Sequence, residues 1–171
     1  DLLAGASKNK SREEFAAFSD EYRHESFILY VRAGETEKYV NKTLQGLLEN
    51  GFNLGVTGDY IYGNTVTALQ DNPQFNANFV YVPVTEVNYY NLLQRKIDGF
   101  LEDPFVAAFT IKRKALQGQI EAHPIEIHSG DVAIMFSKKS VKPETVLAFN
   151  QALARLKSNG EYQKIHTKYR Q

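Results

Sequence analysis

Short apolar runs alternate along this chain with segments whose apolar residues recur at helical spacing. Ser26 to Arg32 (SFILYVR) reads as a strand. Val40, Leu44, Leu47 and Leu48 then share one helical face, which Asn50-Gly51 ends as a left-handed cap. Phe52 to Gly58 (FNLGVTG) reads as a buried strand running into a glycine turn. A helix follows from about Ile61 to Gln70, until Asn72-Pro73 breaks it. Asn78 to Val84 (NFVYVPV) is the next strand. Thr85 is expected to N-cap the helix after it, with Glu86 in the first turn and Val87, Tyr90, Leu93 and Ile97 as the inner stripe. Asp98 to Glu102 is a short strand. Asp103-Pro104 opens another helix, with Pro where its missing N–H costs nothing, and Phe105, Ala108, Phe109, Lys112 and Leu116 trace its faces. Ile125 to Ile127 and Asp131 to Ser137 are the last strands. Pro143 opens a helix striped by Val146, Phe149, Leu153 and Leu156. Gly160 ends it, and Tyr162, Ile165 and Tyr169 are the inward positions of a second helix.

Alternating strands and helices predict an α/β fold with largely parallel sheets. The pattern yields a β-α-β-α-β-α-β block from about residue 34 to residue 128. Two flanks, 1–33 and 129–171, are too small to fold alone and must form one domain into which the block is inserted. The expected crossovers are Arg32-Ala33-Gly34 and His128-Ser129-Gly130. Two lobes joined in this way are expected to hinge.

Composition narrows the function. The 171 residues are 43% hydrophobic and 23% charged, as in an ordinary globular protein with one good core or two small ones. The formal net charge is zero, which argues against a nucleic-acid partner. No apolar run approaches the ~20 residues of a membrane span. Cysteine is absent, which suits an oxidising compartment and excludes thiol chemistry. His24, His123, His128 and His166 have no metal-ligand spacing, and no nucleophile, phosphate or dinucleotide motif is present. Lys112-Arg113-Lys114 reads as a solvated helix face. No cofactor and no metal are expected. The chain starts at Asp1 without a signal peptide, so a processed form or a piece of a longer polypeptide is expected.

Four segments carry a resemblance. FNQALARLKSNGEYQKIHTKYR (Phe149 to Arg170) resembles the C-terminal end of the family 3 extracellular solute-binding proteins, periplasmic receptors that feed polar amino acids to ABC importers. DLLAGASKNKSREEFAAFSDEY (Asp1 to Tyr22) resembles the segment in which a strand ends in small residues, here Ala4-Gly5-Ala6-Ser7, and runs into a Thr-x-x-Arg element and Phe-Ser-x-x-Tyr. Asn9 replaces the usual Thr, and Glu21 stands where Pro is common. VNYYNLLQRKIDGFLEDPFVAAF (Val87 to Phe109) is similar to the helix–strand–Asp unit of the second lobe, and VTGDYIYG (Val56 to Gly63) to that lobe's glycine turn.

The resemblance implies a type II periplasmic-binding-protein fold, with 34–128 as a whole second lobe and 1–33 plus 129–171 as part of the first. It implies that Arg12 clamps the ligand's α-carboxylate, helped by Gly5 and Ser7. A guanidinium offers a planar fork that stays charged at any working pH. The plain alternative is a solvated helix-start arginine. Asp103 would receive the α-ammonium group, although N-capping the Pro104 helix also explains it. Asp59 stands where the family places Thr or Ser for the carboxylate, and would repel one. It either contacts a cationic or hydroxylated group or caps the next helix. Tyr60 and Tyr62 could stack on a ligand. Glu102 should alternate to the other face of its strand.

The resemblance further implies a binding role without catalysis, in the periplasm or tethered outside a membrane, with a small-molecule ligand and an ABC permease as partners. A ligand-sensing input to a membrane receptor is the alternative, and a dehydratase or glycan lyase of the same fold the remote one, with Glu102 or Asp103 as its acid. Family members carry two further βα units upstream of the point matching Asp1, at roughly 30 residues each. A partner, a swapped segment or a further part of the chain is therefore expected to complete the first lobe, and self-association or a domain swap is one way to do so.

Overall fold

The computed structural model describes residues 1–40 and 42–169, Tyr169 only by its place in a helix. The expected inward position of the Tyr169 side chain lies outside the described residues. The strands are β1 (Leu2–Ser7), β2 (Ala16–Phe18), β3 (Arg23–Arg32), β4 (Leu54–Thr57), β5 (Phe79–Val82), β6 (Gly99–Glu102) and β7 (Ile120–Ser137). The helices are α1 (Lys10–Phe15), α2 (Leu44–Glu49), α3 (Asn64–Gln70), α4 (Glu86–Leu93), α5 (Pro104–Arg113), α6 (Pro143–Ser158) and α7 (Glu161–Tyr169). No described helix is long and apolar enough to cross a membrane.

Contacts divide the chain into two compact units, Ser26–Ser129 and Asp1–Glu25 with Gly130–Gln171. The first boundary falls before the expected crossover at Arg32-Ala33-Gly34. The cause is β3, whose Phe27, Leu29 and Val31 all belong to the core of the contiguous unit. The two strands expected at Ile125–Ile127 and Asp131–Ser137 are one strand, β7, with Gly130 inside it at φ 128°.

In the contiguous unit the strand order is β7-β3-β6-β4-β5. β4 runs parallel to β5 and β6, while β3 pairs antiparallel with β6. The expectation of largely parallel sheets thus holds only for β4, β5 and β6. Period-2 alternation sends successive side chains to opposite faces. Leu29, Val31, Leu54, Val56 and Leu101 meet Leu44, Leu47 and Leu48 of α2 and Val66 and Leu69 of α3. Tyr30 and Phe100 meet Tyr89 and Leu92 of α4 and Ala107 of α5. Leu54, fully buried, illustrates the scale: such a side chain contributes about 1.5–3 kcal/mol.

α4 turns a different face inward from the one expected. Asn88, Tyr89, Asn91 and Leu92 are buried, whereas Tyr90 is exposed. The reason is a buried amide: Asn88 Nδ2 donates to Thr57 Oγ1 at 3.4 Å. The helix comes close enough for this because residue 55 is glycine. A Cβ there would lie 2.5 Å from Asn88 Oδ1 and 2.6 Å from Ile97 Cδ1.

In the other unit, β1 and β2 both pair antiparallel with β7, and both have a residue opposite Phe136. Phe136 packs edge-on against Phe149 of α6, with ring centroids 5.7 Å apart. Ser19 Oγ accepts from the Ile134 N–H, the Tyr22 N–H donates to the Val132 carbonyl, and the Tyr162 hydroxyl donates to the Tyr22 carbonyl. The Phe-Ser-x-x-Tyr segment is therefore a brace between β7 and α7. Of the stripes expected to face inward, Leu153 is buried, but Leu156 and Ile165 are exposed.

Candidate functional site

The sequence residues expected to hold a carboxylate do come together. Gly5 has φ 69°, and the β1–β7 register shifts between Leu3 and Ala6. Only glycine takes this left-handed bulge position without strain. The bulge ends β1 at Ser7, and Asn9 then caps α1 by accepting the Arg12 N–H at 2.8 Å. Asn9 does the capping work of the Thr it replaces. One turn along, Arg12 folds back, and its Nη1 donates to the Ser7 carbonyl at 2.8 Å. The guanidinium is thereby fixed at the end of the strand, half-buried, instead of trailing in solvent.

In the contiguous unit, β4 and β6 are parallel neighbours, so the loops after them leave the same edge of the sheet. Open α/β sheets take their ligands at that edge. Asp103 leaves β6 and caps α5: its Oδ1 accepts the N–H groups of Phe105 at 2.8 Å and Val106 at 3.2 Å. Asp59 lies in the β4–α3 loop at φ 62°, exposed beside Tyr60. It is not the N-cap of α3, which starts only at Asn64 with Gly63 in that position and no side-chain capping bond. Tyr60 is 43% exposed, with its ring 6.0 Å from that of Tyr62. Tyr62 is buried and accepts the Thr57 N–H at 2.7 Å, so it supports the loop and is not a stacking surface.

A cavity of about 700 Å³ in the same unit lies among α2, α3 and β7, floored by Leu44, Leu69, Phe75, Ile125 and Ile127. None of the expected ligand residues lines it.

A profile of the bacterial extracellular solute-binding proteins, family 3, matches residues 1–171. The chain belongs to this family. Its relatives include a probable histidine-binding protein of Neisseria gonorrhoeae, 25% identical over 177 residues. That match covers 98% of this chain and 59% of the relative, so the chain spans well under two thirds of the relative's length. Among solved structures, an amino acid ABC transporter substrate-binding protein of Streptococcus pneumoniae bound to L-arginine superposes with a TM-score of 0.74. It is 22% identical and covers 99% of this chain and 67% of its own. The ligand-binding core of GluR0 from Nostoc punctiforme, with glutamate, gives 0.66 at 23% identity, over 98% and 71%. These likenesses show the type II periplasmic-binding-protein fold.

In this family 3 solute-binding protein, the strand that leads to Asp103 ends in a buried carboxyl group. Glu102 is fully buried at the C-terminal end of β6. Its Oε1 accepts the Asp103 N–H at 2.9 Å, and its Oε2 accepts the Thr85 hydroxyl. Thr85 stands at the N-terminus of α4 but makes no side-chain capping bond there, because its hydroxyl is committed to Glu102. Burial pushes the Glu102 carboxyl up to about 7; the bonds from Thr85 and Asp103 oppose this, and the charges of Asp103 and Glu86 add to it. Tyr30 is pushed up to about 12, chiefly by burial and then by Glu102 and Asp103. The available signal was a glutamate ending the otherwise apolar run GFLE, directly before Asp103.

Proposed function

We propose that this chain binds a polar amino acid and presents it to the membrane permease of an ABC importer, in the periplasm or tethered outside a membrane. Arg12, with Ser7 and the backbone at Gly5, takes the α-carboxylate. Asp103 accepts the α-ammonium group, and Asp59 and Tyr60 meet the ligand's side chain. The observation that carries this is the Arg12 guanidinium, pinned to the Ser7 carbonyl at the end of β1 in a chain matched by the family from first residue to last. An acidic Asp59 favours a cationic side chain. That preference fits a relative named for histidine and a structural neighbour holding L-arginine. A thermal-shift screen of the twenty amino acids tests the reading. L-arginine or L-histidine at a hundred times its Kd should stabilise the protein by about 2.7 kcal/mol. A melting temperature that no amino acid raises would sink it.

We propose in addition that the chain self-associates through β1. This strand ends the strand order, and Leu2 and Leu3 on it are 63% and 57% exposed. An unpaired edge with apolar residues invites a second strand. Sedimentation should show a concentration-dependent dimer that Leu2→Lys with Leu3→Lys converts to monomer. A wild-type chain that stays monomeric at high concentration would refute it.

A further inference from the structure

Glu102 joins two loops that leave neighbouring parts of the sheet. Thr85 lies between β5 and α4, and Asp103 lies between β6 and α5. One carboxylate oxygen serves each loop. The oxygen facing the Asp103 amide can only accept, because an N–H has no lone pair to offer. The oxygen facing Thr85 meets a hydroxyl, which can donate or accept. Glu102 can therefore gain or lose a proton at the Thr85 side without breaking either bond. What changes is the charge directly behind Asp103.

The titratable groups that face it are Tyr30 from β3, Tyr62 from the β4–α3 loop, Glu86 and Tyr89 from α4, and Asp103. None of these is basic, so no neighbouring cation among them holds Glu102 in its ionised form.

We propose that Glu102 is a positioning residue for the ligand's ammonium group: its buried carboxylate ties Thr85 to the Asp103 amide and, when ionised, adds a negative charge behind Asp103 that tightens the binding of a cation. This rests on the assignment of Asp103 to that ammonium group. A ligand cation at Asp103 adds a positive charge near Glu102, so ligand binding and ionisation of Glu102 favour each other. By linkage, affinity is lower while Glu102 is protonated and rises as pH climbs through about 7, where burial sets its titration.

The test is calorimetry from pH 5.5 to 8 with L-arginine, whose guanidinium stays charged and whose free α-ammonium group, the cation at issue, is more basic than a chain terminus and stays largely protonated. Wild-type affinity should rise roughly tenfold across that range, the scale of one charge interaction. Glu102→Gln keeps an acceptor toward Asp103 and a donor toward Thr85 but carries no charge. It should bind with a nearly flat profile, at about the affinity wild type shows at pH 5.5. Thr85→Val, which leaves the carboxyl in place and removes a bond that favours its ionised form, should move the midpoint to higher pH; Thr85→Ser should restore it. A purely structural role would lower affinity equally at every pH. A flat wild-type profile, or the same slope in Glu102→Gln, overturns the proposal while leaving amino-acid binding intact. No binding of L-arginine or of any other amino acid at any pH overturns the functional reading itself, and this proposal with it.

Discussion

Replacing Arg12 by alanine should weaken amino-acid binding by on the order of 100-fold or more, while leaving the fold intact. Removing one partner of a hydrogen-bonded charge pair costs about 2–5 kcal/mol, because the other charge is left desolvated and unpaired. The free protein loses much less. The α1 cap runs through the Arg12 backbone N–H, which alanine keeps, and the Ser7 carbonyl loses one half-buried donor. Arg12→Lys should recover part of the affinity, since lysine supplies the charge but not the fork. Calorimetry with L-arginine, L-histidine and L-glutamine would measure the loss, and circular dichroism would confirm the fold. Affinity unchanged in Arg12→Ala would remove the carboxylate clamp from this protein.

Arg32→Met is expected to destabilise the contiguous unit by about 3 kcal/mol. Arg32 is 9% exposed, and its Nε donates to Glu35 Oε2 at 2.8 Å. Its Nη1 donates to the carbonyls of Leu92 at 3.0 Å and Ile97 at 2.7 Å. It thus caps the end of α4, where a cation also meets the favourable end of the helix dipole. Methionine fills the space but leaves two inward-facing carbonyls without this donor. Lys38 and Arg95, at 2.9 and 3.2 Å from Glu35 Oε1, keep that carboxylate partly compensated and moderate the loss.

The pH dependence has a definite sign. Burial raises the Glu35 carboxyl, but Lys38 and Arg32 outweigh it and hold it below its ordinary value of 4.5. Its contribution is present above that value and is lost as pH falls through the lower folded one. The deficit of Arg32→Met should therefore shrink in acid. Urea unfolding at pH 7 and pH 3.5 reads this directly. A midpoint equal to wild type at pH 7 would show that the network stabilises nothing.

The order of elements was largely legible because each depends on local signals. Asp103-Pro104 starts α5, Pro143 starts α6, and Gly160 follows its end, as the spacing predicts. The misplaced details all depend on partners distant in sequence. Apolar spacing alone marks one stripe of α4, but the helix turns Asn88 inward to meet Thr57, 31 residues away. Capping is a local signal and points Thr85 at the α4 backbone, yet its hydroxyl is taken by Glu102, 17 residues along. Ser129-Gly130 looked like a break in the chain. β7 has β3 as a ladder neighbour as well as β1 and β2, which lie opposite Val132–Ser137, and this pairing keeps it one strand. At the candidate site, Arg12 was legible as a motif residue. Its bond to Ser7 was not, because nothing in the spacing says which way the side chain folds.

The division of the chain also sets an order of events during synthesis. Ser26–Ser129 is one uninterrupted stretch, and its parallel core closes between strands less than fifty residues apart. It can fold as soon as residue 129 has left the ribosome. β1 must wait, because the partner of Leu2 is Phe136 and the helices of that unit lie later still. Closing so long a loop is cheap once its intervening residues are already folded. Until then β1 stays without its ladder partner, although it precedes the whole contiguous unit in the chain.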